Sequence, residues 1–194
     1  MWNIFGKKKP IAEDAHIYLR SVEFFDFKLI SKWFKNTDIM SNAFGLIADD
    51  DYINQISRDY YKEVSDTPQN AFIIVLKPNN RPIGLMRFSL RGQKDPYAII
   101  GILLGENRFL GKGLGTEAVG LVLKYFFEEK HVAYAELDTA IFNERAQRCF
   151  KKCGFETVGE FQEVDYNTGN VIYKVLMRID KEHFFDILNK SKGI

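Results

Sequence analysis

Residues 97–116 read Tyr97-Ala98-Ile99-Ile100-Gly101-Ile102-Leu103-Leu104-Gly105-Glu106-Asn107-Arg108-Phe109-Leu110-Gly111-Lys112-Gly113-Leu114-Gly115-Thr116. A β-rich run ends near Leu104, and from Gly115 to Lys130 apolar residues recur at helical spacing. Between them stand three alternate glycines. They let the backbone approach a ligand closely, while the helix start offers unpaired N–H groups and a partial positive charge. This is chemistry for phosphate. Two familiar phosphate loops are excluded directly: a dinucleotide fingerprint needs glycine where Thr116 stands, and a Walker loop needs Ser or Thr where Gly113 stands.

Working outward, Tyr134 to Ala140 is a further strand, so the helix from Gly115 is the crossover of a parallel β-α-β unit. The segment from Gly105 to Tyr134 is the place to look for a ligand. Upstream, Ala71 to Leu76, Ile83 to Leu90 and Tyr97 to Leu104 form a meander of antiparallel neighbours. Ile17 to Leu19 makes a short strand, and Phe24 to Phe34 and Asp49 to Glu63 have helical spacing. Asn36 to Ile47 reads as a loop. The acidic run Asp49, Asp50, Asp51 suits a helix N-terminus. Downstream, Glu144 to Cys153 is a helix, and Thr157 to Asp165 with Val171 to Ile179 reads as a hairpin. The order β-α-α-β-β-β-α-β-α-β-β predicts an α/β fold with one mixed sheet. Residues 1–14 read as a flexible basic lead-in with Lys7, Lys8 and Lys9, residues 15–182 as one domain, and residues 183–194 as a C-terminal helix or tail.

Composition narrows the function classes. The 194 residues carry 27 Lys+Arg against 26 Asp+Glu, a net charge of +1, which gives no broad basic surface and argues against nucleic acid. The longest apolar stretch, Ala98 to Leu104, is far below the roughly 18 residues of a bilayer helix, so the expectation is a soluble cytoplasmic protein with no membrane partner. Cys149 and Cys153 lie one helical turn apart and read as reduced, buried thiols. No histidine has a metal-ligand partner at useful spacing, so no metal is expected.

The pattern Arg108-x-x-Gly111-x-Gly113 resembles the acetyl-CoA pyrophosphate loop of the GNAT family of N-acetyltransferases. Asn143-Glu144-Arg145-Ala146 and Gly154-Phe155 are similar to that family's Asn-x-x-Ala and Gly-Phe elements. Tyr18-Leu19-Arg20 and Trp33 resemble the start of its Rim-type (ribosomal protein alanine) and spermidine acetyltransferase branch. The resemblance implies a twisted, mostly antiparallel sheet flanked by helices, and acetyl-CoA as co-substrate. It implies that Leu103, Leu104 and Gly105 lend backbone groups to the pantetheine arm. The pyrophosphate falls to the loop amides from Arg108 to Gly113, those of Gly111 and Lys112 included, with Gly115 and Thr116. Asn143, which is also a good helix N-cap, hydrogen-bonds the pantetheine.

The resemblance further implies direct attack of an amine on the thioester in a ternary complex. The usual proton donor and acceptor positions depart from the family: Phe150 stands where many members carry Tyr, and Ile99 where many carry Glu. The catalytic residues are therefore unassigned, with Glu136, Tyr166 and Cys149 as candidates by type. A lysine-like amine of pKa ~10.4 needs roughly 4 kcal/mol to be neutral near pH 7.4, whereas an α-amine near ~7.8 needs only about half a kcal/mol. Missing proton handlers thus favour a peptide α-amine or an amino sugar as acceptor, a small molecule or a protein N-terminus. A polyamine, an aminoacyl-tRNA, a catalytically silent acyl-CoA-binding protein and a homodimer stay open.

Overall fold

The computed structural model describes residues 10–44, 50–164 and 171–192. Eight strands form one sheet in the order β1-β2-β3-β4-β5-β6-β8-β7. They are β1 (Ala12–Glu13), β2 (Ile17–Ser21), β3 (Ala71–Leu76), β4 (Arg81–Arg91), β5 (Tyr97–Leu104), β6 (Tyr134–Ala140), β7 (Glu156–Val164) and β8 (Val171–Asp180). The helices are α1 (Asp26–Phe34), α2 (Thr37–Phe44), α3 (Asp50–Asp66), α4 (Leu114–Glu129), α5 (Glu144–Lys152) and α6 (Lys181–Lys192). All neighbours are antiparallel except β5 and β6, which the α4 crossover joins in parallel. The mixed, mostly antiparallel sheet expected from the sequence is the one observed.

Each face of the sheet has its own core. On one, Ala118, Val119, Val122, Phe126 and Phe127 of α4 pack on Met86, Ala98, Ala135 and Met177, with Phe184 of α6 closing the end. On the other, Ile30, Trp33, Ile39 and Met40 of α1 and α2 cover Ile73, Leu85, Leu103 and Ala140. Helix α1 begins at Asp26, two residues later than its spacing predicts, because the buried Asp26 is held bidentately by Arg20 at 2.6 and 2.7 Å. Phe24 and Phe25 are left exposed ahead of it.

The expected loop from Asn36 to Ile47 is a correction: Thr37–Phe44 is helix α2. Among its described side chains Ile39 and Met40 are buried, too short a signal for a period. Asn36 nonetheless caps it, its Oδ1 accepting from Ile39 N at 3.1 Å. Strand β1 lies inside the stretch set aside as lead-in, because Ile11 N donates to Leu19 O at 2.8 Å and Ala12 pairs with Leu19. Residues 1–9, Asp49 and the hairpin tip with Tyr166 lie outside the described residues. Among the described residues no helix is long and apolar enough to cross a membrane, and no group of His, Cys, Asp or Glu could hold a metal.

Candidate functional site

The sheet opens at its one parallel pairing. β5 and β6 are in register only at Tyr97–Tyr134, Ala98–Ala135 and Ile99–Glu136, after which the strands part. Gly105 N donates to Ile83 O at 2.8 Å. In an antiparallel pair that pattern recurs at alternate residues, so Leu103 and Gly101 also bond to β4. The main-chain groups of Ile100, Ile102 and Leu104 therefore point toward the gap. A cavity of about 470 Å³ fills it, lined by β5, β6, α3, α5 and the start of α4.

One end is built from main chain. Gly111 and Gly113 have φ of 71° and 81°, the left-handed region where a side chain is strained, and open space lies where a Cβ would stand on either. Gly113 caps α4, whose first-turn N–H groups are unpaired within the helix. Gly111, Gly113, Gly115 and Thr116 line the cavity. Opposite them α5 contributes Arg145, Arg148 and Lys152, spaced for one helical face, a cationic wall that sequence reading passed over although its spacing was legible.

Two loop residues expected to offer amides have side chains off the cavity wall, and two strand residues expected at the pantetheine arm have their main chain engaged elsewhere. The Arg108 side chain turns away to pair with Glu106 at 2.8 Å and stack on Phe109, and Lys112 is exposed off the wall. Gly105 is buried with its N–H engaged, and a Cβ there would meet the Trp33 indole at 2.2 Å, so this glycine serves the packing of α1. Leu103 lines the cavity, but its main chain belongs to the ladder with β4; Leu104 is the one of the three that offers main-chain groups. Asn143 lines the cavity and caps α5, its Oδ1 accepting from Ala146 N at 3.2 Å.

Helix α5 ends where the Gly-Phe element stands. Gly154 has φ of 95°, Phe155 N donates to Phe150 O and Gly154 N to Lys151 O, the paired bonds of a Schellman turn. This turn seats Phe150 in the cavity wall and Cys153 in the core. Cys149 lines the cavity beside Thr116 Oγ1 at 3.4 Å, and burial pushes both thiols up, so neither is a ready thiolate.

The other end is made of side chains from five elements. Tyr60 and Glu63 come from α3, Arg87 from β4, Asp138 from β6, Lys174 from β8 and Glu163 from β7. The Arg87 guanidinium lies 3.8 Å from the Tyr60 ring centroid, and its Nη2 reaches Glu63 at 2.9 Å. Its Nε and Nη1 are buried with no hydrogen-bond partner among the described residues. Lys174 bridges Asp138 at 2.8 Å and Glu163. The two cations are the more deeply covered members, 21% and 18% exposed, and the carboxylates the more open, 40% to 54%. The cavity wall therefore presents Asp138 and Glu63 backed by buried positive charge, while Glu163 pairs with Lys174 without lining the cavity. Glu136 is not among the wall carboxylates, since Arg178 holds it at 2.9 and 2.5 Å off the cavity wall. Its neighbour by alternation, Asp138, is the carboxylate that reaches the site. Tyr173 is also off the wall, and Tyr60, Arg87 and Lys174 carried no sequence signal.

The comparisons bear on this geometry. An uncharacterised protein from Methanocaldococcus jannaschii is 29% identical over 172 residues, covering 84% of this chain and 33% of that one. An aminoglycoside N(6')-acetyltransferase type 1 from Klebsiella pneumoniae is 37% identical over 76 residues, 39% of this chain and 36% of that one. The chain thus spans about a third of the length of these relatives. A solved spermidine N-acetyltransferase from Vibrio cholerae, in complex with CoA and spermine, superposes with a TM-score of 0.69 at 21% identity, over 89% of this chain and 99% of that one. That likeness is one of fold. The acetyltransferase (GNAT) domain profile matches residues 16–156, well over half of the sequence, and by that match the chain belongs to the GNAT acetyltransferase domain family.

Proposed function

We propose that this protein transfers an acetyl group from acetyl-CoA to a primary amine by direct attack within a ternary complex. The observation that carries the reading is the splayed β5–β6 edge, which ends on a positive-φ glycine turn and the N-terminus of α4. The cradle fits coenzyme A: the open space at Gly111 and Gly113 admits a pyrophosphate onto main-chain amides, with Gly115 and Thr116 continuing the contact. Arg145, Arg148 and Lys152 add positive charge across the cavity. The edge groups of Ile100, Ile102 and Leu104 hold the pantetheine arm, and Asn143 borders it. Acetyl-CoA supplies an activated thioester. The chain supplies alignment, and main-chain donors at the open edge polarise the carbonyl.

Asp138 and Glu63 receive the amine at the other end of the cavity. The acceptor class we favour is a low-pKa amine, a peptide α-amine or an amino sugar. Asp138 and Glu63 are each already paired with a buried cation, and the wall offers no carboxylate at Ile99 and no hydroxyl at Phe150, so an amine that is largely neutral near pH 7.4 asks least of the site. The Klebsiella relative, named for an aminoglycoside amine, supports the amino-sugar branch. Phe150 in the wall also favours a second reading, a silent acyl-CoA-binding protein.

The test is to mix protein, acetyl-CoA and a panel of amino sugars, peptides and polyamines, and to follow release of free thiol. Turnover on an amino sugar or peptide is the expected result; binding without turnover on any amine supports the silent protein. A kcat/KM profile climbing steeply above pH 9 on the true acceptor counts against a low-pKa amine.

A further inference from the structure

The reaction proposed above leaves a proton unassigned. When the nitrogen–carbon bond forms and the carbon–sulfur bond breaks, sulfur departs as a thiolate that must be protonated, and Phe150 has no proton to give. We propose that Tyr60, on α3, donates it, and that Arg87 is the positioning residue that makes this donation favourable. The inference rests on the acetyl-transfer reading.

Three observations converge on Tyr60. It is the one tyrosine among the described residues that lines the cavity. The other proton-bearing groups of the wall are less suited: Lys174 is committed to Asp138 and Glu163, Cys149 lies with Thr116 at the glycine-loop end, and the hydroxyls of Thr139 and Ser89 are far weaker acids than a phenol.

The second is placement. Arg87 pairs in register with Gly101, two residues beyond the last β5–β6 contact on one strand, and Asp138 lies two beyond it on the other. Arg87, Gly101 and Asp138 thus form a row at the point where the gap closes. A ligand arm laid along the free edge from Leu104 to Ile100 ends beside that row, and Tyr60 sits on it through Arg87.

The third is charge. The Arg87 guanidinium stacks on the Tyr60 ring at 3.8 Å, is paired on one nitrogen with the half-exposed Glu63, and keeps two buried nitrogens without hydrogen-bond partners among the described residues. Such an incompletely compensated cation is costly in the resting protein. It stabilises negative charge that develops on the phenol as its proton leaves.

Burial is the chief cause and raises the Tyr60 pKa above its ordinary value; Arg87 from β4 and Lys174 from β8 pull it down, and Asp138 from β6 and Glu163 from β7 add to the rise. The balance of the step closes. The nitrogen gives up one proton, to Asp138 or water, as it acquires the acetyl group; Tyr60 gives one to sulfur; and the phenolate regains the proton released from nitrogen. The net change is amine plus thioester to amide plus thiol.

The experiment uses the full chain and the best amine from the thiol-release panel. Tyr60→Phe preserves the ring against Phe34 and Arg87. It is expected to lower kcat by about 100-fold or more, the usual worth of a general acid. The KM for acetyl-CoA and the calorimetric affinity for CoA should stay within about threefold, and the wild-type loss of activity at high pH should vanish. The independent readout is the ultraviolet titration of tyrosine in the ligand-free protein. The Tyr60→Phe difference isolates one phenol, and Arg87→Gln is expected to shift that phenol's ionisation to higher pH while CoA affinity holds. Retention of kcat within threefold in Tyr60→Phe, or an unmoved titration in Arg87→Gln, overturns the assignment and leaves acetyl transfer standing. Absence of turnover by the unsubstituted protein on every amine overturns the transfer reading and this assignment together.

Discussion

The two ends of the cavity are made from different materials. At the α4 end the working groups are main-chain N–H donors, and a nine-residue run of sequence supplies almost all of them. At the α3 end the working groups are Tyr60, Glu63, Arg87, Asp138, Glu163 and Lys174, brought by five elements that are far apart in the chain. A main-chain site is set by backbone dihedrals, so it is sensitive to glycine replacement and insensitive to side-chain trimming. A side-chain site has the opposite sensitivities.

The largest effect that sharpens this contrast is expected from Gly113→Val. A β-branched residue at φ of 81° is strained by roughly 1–3 kcal/mol and its side chain enters the cradle, so the dissociation constant for acetyl-CoA should rise about 100-fold by calorimetry. Next comes Asp138→Asn at the other end. Losing a charge-assisted contact of roughly 1.5–3 kcal/mol should cut kcat/KM for the amine about 30-fold, while acetyl-CoA affinity is unchanged. If the cofactor affinity falls instead, the two ends are not separable.

A smaller effect is expected for Arg148→Ala, whose side chain is exposed and already paired with Glu144. The affinity loss should be about threefold at low salt and fade as ionic strength rises. Lys112→Ala, a residue inside the glycine motif but off the wall, should change affinity less than about twofold, since an exposed charge there is screened. A tenfold loss at Lys112 would show that the loop works through side chains after all. Cys149 provides a pH check: burial raises its pKa, so the thiol stays protonated near pH 8, and alkylation should be slower than for a free cysteine and accelerate as pH rises past the ordinary thiol range.

Much of the fold was legible because its signals are local. The β5 run, the glycines at 111 and 113 and the apolar spacing of α4 lie within 33 residues of one another, and each reads correctly by itself. Helix α2 was not legible, since two buried residues cannot establish a period. Gly105 was expected to lend backbone groups to a pantetheine arm, whereas its N–H donates to Ile83 O and it lies beneath an indole; sequence could not show this, because Trp33 stands 72 residues upstream. Glu136 and Asp138 were equivalent by alternation until Arg178, across the β6–β8 pairing, claimed one of them.

By itself the sequence determined the order of strands and helices apart from β1 and α2, the single parallel crossover and the turn of positive-φ glycines ahead of α4. These follow from side-chain periodicity and from dihedrals that only glycine adopts without strain. Tertiary structure alone decided which of the two β6 carboxylates lines the cavity, that Arg108 folds away onto Phe109, and that Tyr60 and Arg87 meet in the cavity wall. Those outcomes depend on pair distances between elements remote in the chain, and such distances exist only once both cores have closed on the sheet.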